Sequence, residues 1–257
     1  MKQIEDTEKT INIIEWRDIK FPPINLLCLQ VWSNIMDTTK SSKYEIKFYE
    51  GKYSARQEAA NKDGAILYVE QHFNSHDDKY VNYAMAVVAN NASNKSKEFA
   101  IDYVNEVSKE LGISTYWEKI RVGGLGNGNL INTRMPAVIL EPCFISSYEG
   151  LDTASSLYGQ ALLAECIVDT IKKHFPEGGL IAFSVGHEGN KPSDMGVVTH
   201  KGTEAEFARE VLTIAANMLT KKDKVIVPVI RNNKEVAHFR IFEGEQIMIE
   251  NNKVIIK

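Results

Sequence analysis

Three short apolar runs punctuate the chain, each opened by Gly or Pro: GAILYVE at 64–70, PAVILE at 136–141 and GLIAFSV at 179–185. Apolarity that is continuous rather than alternating suits strands covered on both faces, so these runs predict central strands of a parallel sheet. Between them the period changes. In SKEFAIDYVNEVSKELG, Phe99, Tyr103, Val107 and Leu111 recur at four-residue steps before Gly112, which predicts a helix ended by a glycine cap. Residues 155–175 and 204–221 carry the same helical pattern. Strands alternating with helices predict an α/β fold, a mostly parallel central sheet flanked by helices. The last stretch differs: VIVPVIR, VAHFRIF, IMIE and KVIIK, separated by RNNKE, EGEQ and ENNK, predict a C-terminal antiparallel β appendage. The expected organisation is a main domain over 1–222 and a small β-meander over 223–257. Within the first, INLLCLQVW fits an edge strand or a helix equally, and residues 1–43 stay unassigned.

Composition narrows the class. Apolar residues at 44% and charged residues at 25% describe a globular chain. A net charge of -4 argues against a protein built to grip nucleic acid, because phosphate binding needs clustered Lys and Arg in excess. Cys28, Cys143 and Cys166 are too widely spaced for a CxxC metal site and odd in number, so buried thiols are expected. MKQIEDTEKTINIIEWRD lacks the apolar core of an export signal, and no run is long and apolar enough for a membrane span. The expectation is a chain synthesised in the cytoplasm without a signal peptide.

In open α/β sheets the ligand site lies beyond the carboxyl ends of the strands. The first run leads through Glu70 and Gln71 into His72, the second ends on Glu141, and the third leads through Gly186 into His187. Thr203 and Glu206 then have capping-box spacing, which turns Glu206 back onto a helix start. Glu204 instead heads the inward stripe of Ala208, Val211 and Ala215 and points at the same rim. A single strand-end histidine is more readily a satisfied core or surface residue; the signal is the convergence of four groups. His72, His187 and Glu204 form a two-His, one-Glu zinc set with a position left for water, and Glu141 is free to act as general base.

At these residues the chain resembles the zinc-dependent N-acetylmuramoyl-L-alanine amidases of the Amidase_3 family, which cut peptidoglycan. DGAILYVEQHFNS resembles the family segment in which a strand leads into H-x-N, and Arg56, Ala60 and Asn61 fit the preceding R-x-x-x-A-N. GLGNGNLINTRMPAVILEPCFISS is similar to the family's loop, strand and catalytic glutamate, a role the resemblance gives to Glu141. VGHEGNKPSDMGVVTHKGTEAEF resembles the pieces with which that family normally begins, G-H-G-G-x-x-P-G-A and the zinc-binding glutamate of the first helix. Here they follow the helix that normally ends the fold, so the resemblance implies a circular permutation over about 44–221. Two departures stand out: Glu188 replaces the second Gly of G-H-G-G, and Pro192, Ser193 and Asp194 replace P-G-A.

The resemblance implies Zn²⁺ as cofactor and the glycan strand and stem peptide of peptidoglycan as partner. The implied reaction is hydrolysis of the bond between N-acetylmuramic acid and L-alanine in cell-wall degradation; the lack of an export signal points to a phage-type endolysin released through a membrane lesion, or to an enzyme acting on lysed or engulfed cells. Asn74, Asn129 and Asn132 are expected to contact substrate. Two other readings stay open: a peptidoglycan-binding protein that keeps the fold without cutting, and a zinc peptidase, for which no bridging strand-end Asp is found. His76 reads as a solvated loop residue, His174 as a helix-end residue and His238 as a strand-surface residue; His200 is left out of the site, with an oxyanion-stabilising role at its mouth as the lesser alternative. The Gly-rich GGLGNGN at 123–129 lacks the Lys of a phosphate loop.

Overall fold

The structure, a computed structural model, describes residues 42–220 apart from 190, 192 and 193, together with the backbone of the strands between 224 and 256. Its centre is a six-stranded sheet ordered β1-β6-β2-β5-β3-β4. The strands are β1 Tyr44–Phe48, β2 Leu67–Gln71, β3 Tyr83–Val88, β4 Ser114–Val122, β5 Ala137–Glu141 and β6 Gly179–Val185. Neighbours run parallel except β3 with β5. The three apolar runs become β2, β5 and β6, adjacent at the middle of the sheet, and β2 is buried along its whole length.

Helices α1 Tyr53–Asp63, α2 Asn94–Leu111, α3 Asn127–Leu130, α4 Tyr148–Ser155, α5 Leu157–His174 and α6 Glu204–Thr220 complete the fold. The larger core packs Phe99, Tyr103 and Val107 of α2, Leu163, Ile167 and Ile171 of α5 and Val211 and Ala215 of α6 with Leu67, Val69, Leu140 and Phe183 of the sheet. A smaller cluster on Tyr68, Met85, Val87 and Ile139 includes Ala60 of α1 and Leu130 of α3. The predicted cap is present: Gly112 takes a left-handed conformation (φ 64°) and its N–H donates to Ser108. The helix expected over 155–175 is interrupted at its start. Ser156 is extended and its hydroxyl caps Gly159, which separates α4 from α5.

Helix α1 has no apolar stripe to read, because two of its three buried residues are Arg56 and Gln57. Strand β1 alternates buried and open positions over only YEIKF, and β4 is a largely open edge. The C-terminal strands form two antiparallel pairs, β9 Lys224–Arg231 with β10 Lys234–Phe242 and β11 Ile247–Glu250 with β12 Lys253–Ile256. Between Val198 and Thr203 lies the small pair β7 Val198–Thr199 and β8 Gly202–Thr203. Cys143 and Cys166 are buried free thiols, whereas Cys28 and INLLCLQVW lie outside the described residues. Among the described residues no helix is long and apolar enough to cross a membrane.

One ionisable group of this framework gives a pH prediction. Burial on α5 raises Glu165 to about 7, with Asp169 and Glu110 adding to the shift. A folded pKa above the unfolded one stabilises the protonated form below the ordinary carboxylate pKa, and this contribution is lost as pH rises through about 7. Glu165→Gln, always neutral, is therefore expected to gain stability over the parent between pH 4.5 and 7, by on the order of 1 kcal/mol after solvent screening. Urea melts across that range check it. A difference independent of pH would contradict the assignment.

Candidate metal centre

The order of the sheet brings the site together. Beyond the strand ends, Gly186 N–H donates to the Gln71 carbonyl at 2.9 Å and His72 N–H to the Leu140 carbonyl at 2.9 Å. The residues that leave β6, β2 and β5 are thus neighbours. His72 follows β2, Glu141 ends β5, and His187 follows β6 after Gly186. Gly186 is required by its neighbour, since a Cβ there would clash with the His72 ring at Cε1. His187 itself adopts a left-handed backbone (φ 65°), uncommon for a residue with a side chain. Its N–H donates to the Tyr53 hydroxyl at 3.1 Å.

The fourth group arrives from α6. The capping box forms as expected: Thr203 N–H donates to Glu206 Oε2 at 2.8 Å and Glu206 N–H to Thr203 Oγ1 at 3.3 Å. With Glu206 folded back and exposed, Glu204 turns inward above Ala208, Val211 and Ala215, all buried. Phe73 N–H donates to Glu204 Oε1 and Val197 N–H to Oε2, each at 3.2 Å, which orients the carboxylate before any ligand arrives.

His72, His187 and Glu204 each present a ligand atom, all within 4.8 Å of one another. Glu204 Oε1 lies 3.0 Å from His72 Nδ1 and 3.2 Å from His187 Nε2, and the two rings meet edge to face with centroids 4.9 Å apart. Burial works against a charged His72, but its hydrogen bonds to Glu204 and Glu70 outweigh this and hold its pKa up at about 10. Burial also pushes Glu204 upward, and hydrogen bonds from His187 and His72 overcome it to bring the carboxyl down to about 2. The hydrogen bond to Glu204 raises His187, with burial opposing. This donor set fits a divalent cation: two imidazoles and one carboxylate converge, and each trades a proton or a hydrogen bond for the ion.

Glu141 stands beside the cluster. Burial raises its pKa, while His72 and Arg121 oppose the rise and Glu204 adds to it. Asn74 Nδ2 donates to Glu141 Oε2 at 2.9 Å. Asn129 Nδ2 donates to Glu70 Oε1 at 2.6 Å, so both asparagines touch carboxylates of the site. Asn132 is exposed, its N–H donating to Gln57 and its carbonyl accepting from Asn61, both on α1. His76 and His200 are exposed and outside the ligand cluster. His174 lies 2.6 Å from Asp102. The side chain of His238, on β10, is outside the described ones.

Two acidic residues complete the site beyond the expected set. Asp194 Oδ1 accepts from His187 Nδ1 at 2.8 Å and from Gly196 N–H at 3.2 Å. Glu70 Oε1 lies 2.9 Å from His72 Nε2. The signal for Glu70 is available in the sequence, because residues two apart on a strand share a face. The unusual Glu188 also has a place: its carboxylate is held by Arg209 of α6 and its carbonyl accepts from Arg56.

A family model described as N-acetylmuramoyl-L-alanine amidase matches residues 30–173. Similar solved structures include the catalytic domain of CwlV, N-acetylmuramoyl-L-alanine amidase from Bacillus (Paenibacillus) polymyxa var. colistinus, at 24% identity and a TM-score of 0.43, covering 49% of this chain and 66% of that one. The N-acetylmuramoyl-L-alanine amidase from Clostridium difficile 630 has 21% identity and a TM-score of 0.44, with 49% and 66% covered. The amidase AmiC2 of Nostoc punctiforme has 21% identity and a TM-score of 0.41, with 48% and 65% covered. The chain therefore spans a little under two thirds of each of these. No curated protein matches the chain. His72 and Glu141 lie within the matched residues, and His187 and Glu204 lie beyond them.

Proposed function

The chain belongs to the N-acetylmuramoyl-L-alanine amidase family, and we propose that it is a zinc-dependent hydrolase of the amide joining N-acetylmuramic acid to L-alanine in peptidoglycan. The observation that carries this is the meeting of His72, His187 and Glu204 within 4.8 Å, at the strand ends where Glu141 also stands. These three side chains would hold the ion. When bound, zinc supplies a Lewis acid that polarises the amide carbonyl and makes water acidic enough to attack at neutral pH.

The chain's own groups do the rest. Glu141 takes the proton of the attacking water and hands it to the departing nitrogen as the C–N bond breaks, so no covalent enzyme intermediate is needed. Asn74 is a positioning residue that holds the Glu141 carboxylate through its 2.9 Å hydrogen bond. The outer nitrogens of both histidines face carboxylates, Glu70 and Asp194, which orients the rings. The partner is the glycan strand with its stem peptide, and the biological role is cell-wall lysis of the endolysin type. Chelation should abolish release of stem peptide from purified walls, and added zinc should restore it. Activity that survives complete removal of metal would contradict the reading.

The same proposal includes the circular permutation, with β6 and α6 standing in for the usual first strand and helix. It is supported by the closeness of the two ends of the catalytic fold: Ser42 Oγ donates to the Leu219 carbonyl at 2.6 Å. The end of α6 thus lies at the entrance to β1, where the family's direct connection would run. On the other side, residues 175–178 alone join α5 to β6. A variant with Thr220 linked to Ser42 by a short Gly/Ser segment and opened between Phe175 and Gly179 is expected to fold cooperatively and bind zinc. A molten or metal-free product would count against the permutation.

A further inference from the structure

We propose that Glu70 is a buried anionic anchor that fixes the ring of His72 with Nδ1 toward the metal and so sets metal affinity; the inference rests on the metal-dependent reading above. Glu70 lies inside β2 with no exposed surface. Burying a carboxylate costs several kcal/mol unless its oxygens are satisfied. Here each oxygen has two partners. Oε1 meets His72 Nε2 at 2.9 Å and Asn129 Nδ2 at 2.6 Å. Oε2 meets the Tyr68 hydroxyl at 3.2 Å and Ser184 Oγ at 3.1 Å. Behind Ser184 stands Arg56, 1% exposed, whose Nη1 donates to Ser184 Oγ at 2.7 Å. The buried anion is thus backed by a buried cation one hydroxyl away.

The arrangement decides which nitrogen of His72 is available. A carboxylate only accepts, so the His72 Nε2 that faces it carries the proton. Nδ1 faces the Glu204 carboxylate, 3.0 Å away, so the proton it shares with that ligand is the one a metal ion would displace, while the Nε2 proton stays bonded to Glu70. His187 is the mirror case, with Nδ1 toward Asp194 and Nε2 toward Glu204. Asp194 sits on an open loop and is 30% exposed, whereas Glu70 is locked between the central strands β5 and β6. Glu70 is therefore the more rigid of the two supports and Asp194 the adjustable one.

The test is zinc affinity, measured by competition with a chromogenic chelator on the full chain and on Glu70→Gln, which keeps shape but not charge. The dissociation constant is expected to rise roughly 10-fold to 100-fold with the fold intact by circular dichroism. In parallel, nitrogen NMR of the zinc-loaded parent should show His72 protonated at Nε2. A role in packing alone would lower the melting temperature and leave the affinity of the folded protein unchanged. Should Glu70→Gln not fold, Tyr68→Phe removes one hydroxyl from the same carboxylate and is expected to weaken zinc binding by a smaller factor. Unchanged affinity in the folded variants, or an Nδ1-protonated His72, overturns the anchor alone. A parent that binds no zinc overturns the anchor and the metal-dependent reading together.

Discussion

Glu141→Gln is expected to lower turnover by roughly 10²-fold to 10⁴-fold, the range that a positioned general acid–base contributes, while leaving zinc binding intact. The substitution preserves volume and an oxygen for Asn74 Nδ2, 2.9 Å away in the parent, but cannot take a proton. Glu141 is outside the convergent ligand cluster, so metal content and thermal stability should match the parent. The reading is a kcat effect: KM for a soluble muropeptide should move little, because the missing interaction forms only as the proton moves. Burial raises the Glu141 pKa, which brings a carboxyl closer to the working pH of a base. The acid limb of the parent's rate profile should therefore lie above the ordinary carboxylate range and vanish in Glu141→Gln. Loss of zinc along with activity would instead make Glu141 part of the metal site.

The second large effect is at Glu204. Glu204→Ala removes the group that both histidines face and that two backbone N–H groups hold. Stoichiometric zinc binding is expected to be lost, and with it all activity. The variant also leaves Phe73 N–H and Val197 N–H without their acceptor, a desolvation cost of about 1–3 kcal/mol for the buried Phe73 donor and less for the part-buried Val197 donor. A lower melting temperature is therefore part of the prediction. Glu204→Gln separates the contributions. Its single amide oxygen can accept from only one of those two N–H groups, which donate to different carboxylate oxygens in the parent, so it should recover part of the stability, yet a neutral amide is a poor zinc ligand. Atomic absorption on the dialysed variants reads the metal, and calorimetry reads the stability. Full zinc retention in a folded Glu204→Ala would exclude Glu204 as a ligand.

The site was legible because its parts follow local rules. His72, Glu141 and His187 come at the ends of continuous apolar runs, and such runs become central strands that lie side by side. Glu204 was legible through elimination: the capping box accounts for Glu206, and the inward stripe of Ala208, Val211 and Ala215 takes Glu204 with it. The framework was less evident where burial is polar. Helix α1 buries Arg56 and Gln57, which bind the backbone of other elements rather than a hydrophobic layer. Strand β3, YAMAVV, is apolar throughout, but nothing local says that it runs antiparallel to β5. Glu70 escaped for a related reason. A carboxylate inside a buried strand is tolerable only with its partners in place, and those come from β2 and the residue that follows it, from β6 and from α3. Asp194 was visible as a departure from the family pattern, and its use became evident only with His187 beside it.

The most direct test of the central claim is to digest purified peptidoglycan with the zinc-loaded protein and identify the new chain ends. New L-alanine amino termini, in proportion to stem peptide released and without new reducing sugars, are what the His72, His187, Glu204 and Glu141 arrangement predicts. A folded, zinc-loaded protein that yields no alanine termini, or amino termini of any other residue, would contradict it.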